Sequence, residues 1–300
     1  MKTRIQFLLL AASLVTLPGI MQAQPSAHYV PGVEGLDGAS LPPPGIYFRD
    51  YNYFYWADQL NTPSGYKNGP ADLDTFTYAN LPRVIWITDT KFLGGFVGVD
   101  AFLPFVYHQA SVNTPGGPFN GNTFGVGDFF AEGTLSWHLK QFDFAVGSGV
   151  DAPTGDSPSQ PGPTTTPGFG YWTFMQTAGA TWYIDEEKTW SVSALNRYEF
   201  NTEQRDTHIT YGDAYTLEWG VRKTVAKVFN LGPVGYYQQQ VTANSGAAAS
   251  SRNRVAAVGP EVNVAFPKQM FFVALRYNYE FMAENRAQGN AVTLTLTKRF

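Results

Sequence analysis

Segments of about ten residues in this chain alternate apolar and polar side chains with a period of two, the spacing of a β-strand with two unlike faces. From Phe271 the odd positions are Phe271, Val273, Leu275, Tyr277, Tyr279 and Phe281, whereas the even positions include Ala274, Arg276, Asn278 and Glu280. Near the C-terminus Val292, Leu294 and Leu296 oppose Thr293, Thr295, Thr297 and Arg299. Tyr215, Leu217, Trp219 and Val221 oppose Thr216, Glu218, Gly220 and Arg222, and Phe129, Ala131, Leu135 and Trp137 oppose Asp128, Glu132, Thr134 and Ser136. Beyond the N-terminus no apolar run of about 18 residues occurs, so no further helix could cross a bilayer.

Charged residues are 15% of the chain and aromatics 16%, against roughly 25% charged in soluble domains. Too few charges remain to cover a water-facing surface. An exported chain of this kind has one common membrane solution, a closed antiparallel barrel, because lipid satisfies no open sheet edge. The net charge of −4 gives no footprint for nucleic acid. There is no cysteine, so stability has to come from the backbone ladder and packing.

At the N-terminus Lys2 and Arg4 precede an apolar stretch from Ile5 to Leu17, then Pro18-Gly19 and Met21-Gln22-Ala23. This order predicts a signal peptide over residues 1–23, with Met rather than a small residue three positions before the cut. Residues 24–44 are rich in Pro and Gly, including Pro31-Gly32, Gly35, Gly38 and Pro42-Pro43-Pro44, which forbid regular structure. A periplasmic lead-in is the preferred expectation for them, and a plug folded into the lumen is the alternative. The barrel is expected over residues 45–300.

Long polar connections are expected at Gln59 to Asp72, Ala110 to Thr123, Gly155 to Gly168, Asn201 to Asp213, Thr242 to Arg252 and Ala283 to Gly289. Short turns fall near Lys91, Lys140-Gln141, Glu186 to Lys188, Lys227 to Asn230 and Pro267 to Gln269. Long outer loops alternating with tight periplasmic turns mark outer-membrane barrels. The alternation implies about twelve strands, with ten or fourteen also open because the first two segments are aromatic on both faces.

Inside the strand patterns, Asp128, Glu132, Asp143, Asp151, Arg197, Glu199, Glu218, Arg222, Glu261, Arg276 and Glu280 lie opposite the apolar sets. Facing lipid they would cost a few kcal/mol each, so they are expected to line the lumen. There they either pair across strands as structural lining or give a conduit its selectivity. Phe102, Phe130, Tyr171 and Tyr183 occupy candidate inward positions, where they could stack on an aromatic solute or fill a narrow interior.

Other motifs carry little. Gly147-Ser-Gly149-Val-Asp-Ala152 resembles a loose dinucleotide fingerprint, but Pro153, Pro158, Pro161 and Pro163 prevent the helix that such a site needs, and the glycines suit inward strand positions. His28, His108, His138 and His208 are too dispersed for a metal site, and no cofactor is implied. Ser136 and His138 share a face, but no oxyanion donor can be assigned to them.

Several stretches carry a family resemblance: Leu41-Pro-Pro-Pro with Gly45-Ile-Tyr-Phe-Arg-Asp-Tyr-Asn-Tyr-Phe-Tyr55, Ala152-Pro-Thr-Gly-Asp156, Gly170-Tyr-Trp-Thr173, Ser193-Ala-Leu-Asn-Arg-Tyr-Glu199, Gly259-Pro-Glu261 and Leu294-Thr-Leu-Thr-Lys-Arg-Phe300. From about Gly35 to Phe300 the chain resembles the transporter-like proteins labelled as involved in the meta-pathway of phenol degradation. That resemblance implies an outer-membrane barrel associated with uptake of aromatic or other hydrophobic compounds, and it assigns no catalytic residue. Phe300 resembles the terminal aromatic recognised by the outer-membrane assembly machinery, although Lys298 stands where that signal is usually apolar. The expected partners are outer-membrane lipid, that machinery and small organic solutes. The leading function is a passive, non-enzymatic channel for small organic molecules. A barrel with a closed lumen and a membrane-embedded hydrolase are the alternatives.

Overall fold

The computed structural model describes residues 27–67, 73–114, 117–246 and 252–300; the expected signal peptide lies outside the described residues. Strands β1 (Gly45–Leu60), β2 (Leu73–Phe92), β3 (Gly95–Phe102), β4 (Phe105–Thr114), β5 (Gly117–Val126), β6 (Phe129–His138) and β7 (Phe142–Ala152) form the first half of the wall. The second half is β8 (Thr173–Tyr183), β9 (Trp190–Asn201), β10 (Ala214–Val225), β11 (Phe229–Gln240), β12 (Arg254–Phe266), β13 (Phe271–Glu284) and β14 (Ala287–Arg299). All pairings are antiparallel, and β1 bonds to both β2 and β14, which closes the sheet into a barrel.

The fourteen elements make twelve staves. Arg83 pairs with Phe102 and Asn80 with Phe105 in one register, so β3 and β4 are halves of one stave interrupted at Leu103-Pro104, where proline offers no N–H to the ladder. β5 and β6 are likewise halves of the next stave. Their pairings Phe105↔Val126 and Phe102↔Phe130 differ by one residue at Gly127-Asp128, the signature of a bulge.

Alternation fixes the two faces. Trp86, Phe144, Val146, Trp182, Leu231 and Leu275 are exposed on the outside, while Arg83, Asp143, Thr181 and Arg276 point inward and are buried. A membrane supplies the reason, since lipid rewards the first set and penalises the second.

Two expected long loops are absent. Ala110 to Thr123 belongs mostly to β4 and β5, separated by residues 115–116 alone, and Ala283 to Gly289 is strand except for Asn285-Arg286. No residue of β5 is buried, so this polar hairpin needs no apolar alternation and its Gly and Asn residues mimic a loop. Asn285 takes the tight turn with a φ of +53°, a conformation that Asn tolerates.

Among the described residues no further strand pairs with the outer edge of β5, and the chain after β7 covers it. Thr165 Oγ1 lies 2.9 Å from Thr123 Oγ1, and a side chain at Gly125 would meet Pro167. The fold of residues 153–172 depends on close backbone approach: a Cβ at Gly155 would sit 2.8 Å from backbone atoms of Val126 and Gly127. Gly155→Ala should therefore cost roughly 1–3 kcal/mol by overpacking. Limited proteolysis should show residues 153–172 cut faster than in the native protein, with the barrel core unaffected.

Candidate functional site

The interior is organised by residues 27–44, which run through the lumen. This overturns the preferred expectation of a periplasmic lead-in. At the base, Arg299 Nη2 donates to the carbonyl of Pro44 at 2.8 Å and the Tyr47 hydroxyl to that of Pro43 at 2.7 Å. Above them Ser40 bonds Thr181 at 2.9 Å and Asp37 pairs with Arg222 at 2.6 Å. At the far end His28 lies 3.0 Å from Asp128 and 2.7 Å from Thr173.

Backbone accounting explains why the segment sits there. Apart from one 3-10 turn over Gly35–Asp37, where Gly38 and Ser40 donate to the carbonyls of Gly35 and Asp37, a segment rich in Pro and Gly does not bond its own amides in a helix or ladder, so its buried N–H groups need other acceptors. Six find wall carboxylates. His28 and Tyr29 donate to Glu199 at 2.9 and 3.0 Å, Gly32, Glu34 and Gly35 to Glu218 at 2.9, 3.2 and 3.5 Å, and Leu36 to Glu261 at 3.1 Å. Tyr29 also gives its hydroxyl to Glu218, and Arg276 Nη1 donates to the Gly32 carbonyl at 2.6 Å. Gly35, with a φ of +71°, packs so closely that a Cβ would overlap the Glu261–Arg276 pair.

The Glu34 side chain ties the segment both to β1 and β2 and to β9. Arg83 Nη1, Arg49 Nη1 and Arg197 Nη2 lie 2.7, 3.2 and 3.4 Å from its carboxylate, and the Tyr51 hydroxyl donates at 3.0 Å. Burial pushes its pKa up, but the Arg83, Arg49 and Arg197 guanidiniums outweigh that and hold it at about 2. Its contribution is thus present above its ordinary pKa and lost only as pH falls through about 2.

All eleven charged candidates face inward. Asp128, Glu199, Glu218, Glu261, Arg197, Arg222 and Arg276 touch the inner segment directly. Glu132 accepts from Thr177 at 2.6 Å, Asp143 from Tyr183 at 2.6 Å, and Glu280 from Tyr55 and Tyr236 at 2.9 and 2.8 Å. Asp151 is buried without any such bond among the described residues. The lining therefore grips an internal segment rather than forming an open polar ring. Ser136 Oγ is buried and makes no hydrogen bond to His138, so the hydroxyl has no base beside it.

Between this segment and the β1–β4 wall lies a cavity of about 760 Å³. Tyr51, Tyr53, Tyr55, Leu81, Val106 and Phe130 give it an apolar wall; Glu34, Arg83, Arg197, Asp128 and Asp151 supply its charged lining. Phe102 and Phe130 stack with centroids 4.9 Å apart on its surface. The other two aromatic candidates lie elsewhere: Tyr171 packs on His28, Phe169 and Tyr211, and Tyr183 serves Asp143. Sequence reasoning missed Arg49, Arg83, Glu34 and the Tyr51-Tyr53-Tyr55 rungs. Arg49 and the three tyrosines are all odd positions of β1, but equally apolar residues at Ile46, Phe48 and Trp56 on the outer face hide the alternation.

A closed barrel with a lipid-compatible exterior and an internal segment defines the class as an outer-membrane β-barrel with the fold of known outer-membrane channels. The chain belongs to the family described as "putative MetA-pathway of phenol degradation", whose model matches residues 57–296. It is similar in fold to an outer membrane channel from Pseudomonas putida F1, at 16% identity over 91% of this chain and 100% of that one, with a TM-score of 0.75. The translocator domain of an autotransporter from Neisseria meningitidis matches at 10% identity, covering 88% and 91% of the two chains, with a TM-score of 0.50. The Ralstonia pickettii toluene transporter matches at 9% identity over 89% and 92%, with a TM-score of 0.46. Among curated proteins no sequence matches significantly.

Proposed function

We propose that this chain is a passive outer-membrane channel for small organic molecules, aromatic or otherwise hydrophobic, exported by a cleaved signal over residues 1–23 and assembled through its terminal Phe300. The observation that carries the reading is the cavity, whose tyrosine, leucine and phenylalanine wall faces Tyr29, Val30, Pro31 and Val33 of the inner segment. Such a surface suits a solute that is mostly apolar. Membership of a family described by phenol degradation supports an aromatic solute, and the Pseudomonas protein of the same fold is described as an outer membrane channel. A passive barrel lowers a permeability barrier and adds no driving force, so it matters when diffusion limits supply.

Labelled aromatic compounds should enter proteoliposomes containing the protein faster than protein-free liposomes. A deletion strain should grow normally on abundant polar nutrients and more slowly at low concentrations of the preferred organic substrate. The competing reading, a barrel with a closed lumen, is favoured by the dense bonding of residues 27–44 to the wall. Uptake no faster than in empty liposomes for a range of aromatics, with no ion current, would decide for it.

A further inference from the structure

We propose that Asp151 is the recognition group of the interior cavity, and that it selects small amphipathic molecules with a hydrogen-bond-donating head, a hydroxyl or an ammonium, on an apolar body. The inference rests on the channel reading and names its class of solute. Asp151 lines the cavity from the last residues of β7 and is 5% exposed. Its Oδ2 is buried without a hydrogen-bond partner, and among the described residues its carboxylate makes neither a hydrogen bond nor an ion pair. An ionisable group buried in this way is expensive to keep, and it calls for a partner that the protein itself does not supply.

The other charged groups of the cavity are engaged. Asp128 accepts from the amides of Gly155 and Phe169, at 2.9 and 2.8 Å, and from His28. Glu34 answers Arg83 and Arg197, and Arg286 donates to Gln238 at 3.0 Å and has its charge met by Glu280 at 3.7 Å. Arg197 Nε lacks a hydrogen-bond partner, but its guanidinium charge is met by Glu34 and by the Tyr29 ring, 4.3 Å away. The cavity thus offers an unengaged carboxylate and no unneutralised cation, which favours donors and disfavours carboxylates.

The apolar body has a place as well. Phe130 stands directly across the ladder from Asp151, and its ring lies over Gly149, where a Cβ would be 2.7 Å from it. Beyond it Phe102 continues the aromatic surface toward the tyrosine wall. A ring stacked there would bring its head group beside Asp151.

The test is equilibrium binding of four matched probes to the full-length protein in lipid nanodiscs, with empty nanodiscs as the partition control. p-Cresol and p-methylbenzylammonium should bind roughly tenfold or more tighter than p-xylene and p-toluate, each through a hydrogen bond to the Asp151 carboxyl oxygen. Asp151→Ala should abolish the advantage of both donors and leave p-xylene unchanged. Asp151→Asn keeps a neutral acceptor, so it should spare p-cresol and weaken p-methylbenzylammonium, separating hydroxyl from ammonium. Should Asp151→Ala lose heat-modifiable mobility, the near-isosteric Asp151→Asn carries the test through the ammonium alone. Equal binding of all four probes, tight p-toluate binding, or a donor preference that survives Asp151→Ala overturns the proposal. Transport is not the readout: selective binding without uptake would sink the channel reading and spare this one, and uptake without selective binding would do the reverse.

Discussion

Deleting residues 27–43 should yield a barrel that still assembles but conducts roughly tenfold more ionic current than the intact protein, because the segment runs the length of a lumen only about twelve staves around. In a dry protein core, removing six amide donors and Glu34 would strand wall charges and cost several kcal/mol for each broken buried pair. A barrel interior differs because it can flood. Water would replace the amides on Glu199, Glu218 and Glu261, and Arg49, Arg83 and Arg197 would become hydrated. The ladder that closes the wall through β1–β2 and β1–β14 does not involve the deleted residues. Single-channel recording of the refolded variant measures the outcome. Unchanged conductance in a heat-modifiable, correctly folded variant would show that the segment does not obstruct the lumen. Glu34→Gln gives an independent check: it weakens the tie to three arginines without removing the chain, so it should produce flickering between low and high conductance.

The wall was far more legible in the sequence than its contents. Lipid tolerates almost no charge, so each spanning strand had to put Arg276 or Glu218 on one side and Leu275 or Leu217 on the other, and a period of two is visible residue by residue. Legibility failed where that selection is absent. β1 alternates on neither face: Tyr51, Tyr53 and Tyr55 line a hydrophobic cavity beside the inward Arg49, while the outer face mixes Ile46, Phe48 and Trp56 with Asp50 and Asn52, which bond each other and Asn80. The β4–β5 hairpin buries none of its β5 residues, so Asn120, Gly121 and Asn122 imitate a loop while continuing a strand.

Residues 27–44 left no periodic trace because their partners are scattered through the chain. His28 bonds Glu199, 171 residues further on, and Leu36 bonds Glu261, 225 residues further on. The sequence does show the need: a buried Pro/Gly-rich segment requires acceptors, and inward carboxylates recur on β9, β10 and β12. Only closure of the barrel brings the two together. Asp151 is the complementary case, a charge whose inward position was readable from alternation but whose lack of a partner required the other lining residues to be placed.

Arginine substituted at Leu275 should destabilise the barrel by roughly 2–4 kcal/mol if the residue lies near the membrane midplane, whereas arginine at Ala274 should leave most of the stability intact and alter conductance. Leu275 is 49% exposed on the outer face, and its ladder neighbours Val262 and Leu294 share that face. A guanidinium there has hydrocarbon on every side and must either deform the bilayer or reach for its surface. Ala274 pairs with Asn263 and Thr295 on the opposite face, where Asn263 Oδ1 and Thr295 Oγ1 are buried without hydrogen-bond partners. An arginine entering at that point finds acceptors that the native alanine leaves idle, and its cost is the space it must open. Urea titration of both variants refolded in lipid vesicles gives the comparison directly. Equal losses would mean that β13 does not present Leu275 to lipid, and the inward assignment of Arg276, Asn278 and Glu280, set by the same alternation, would fall with it.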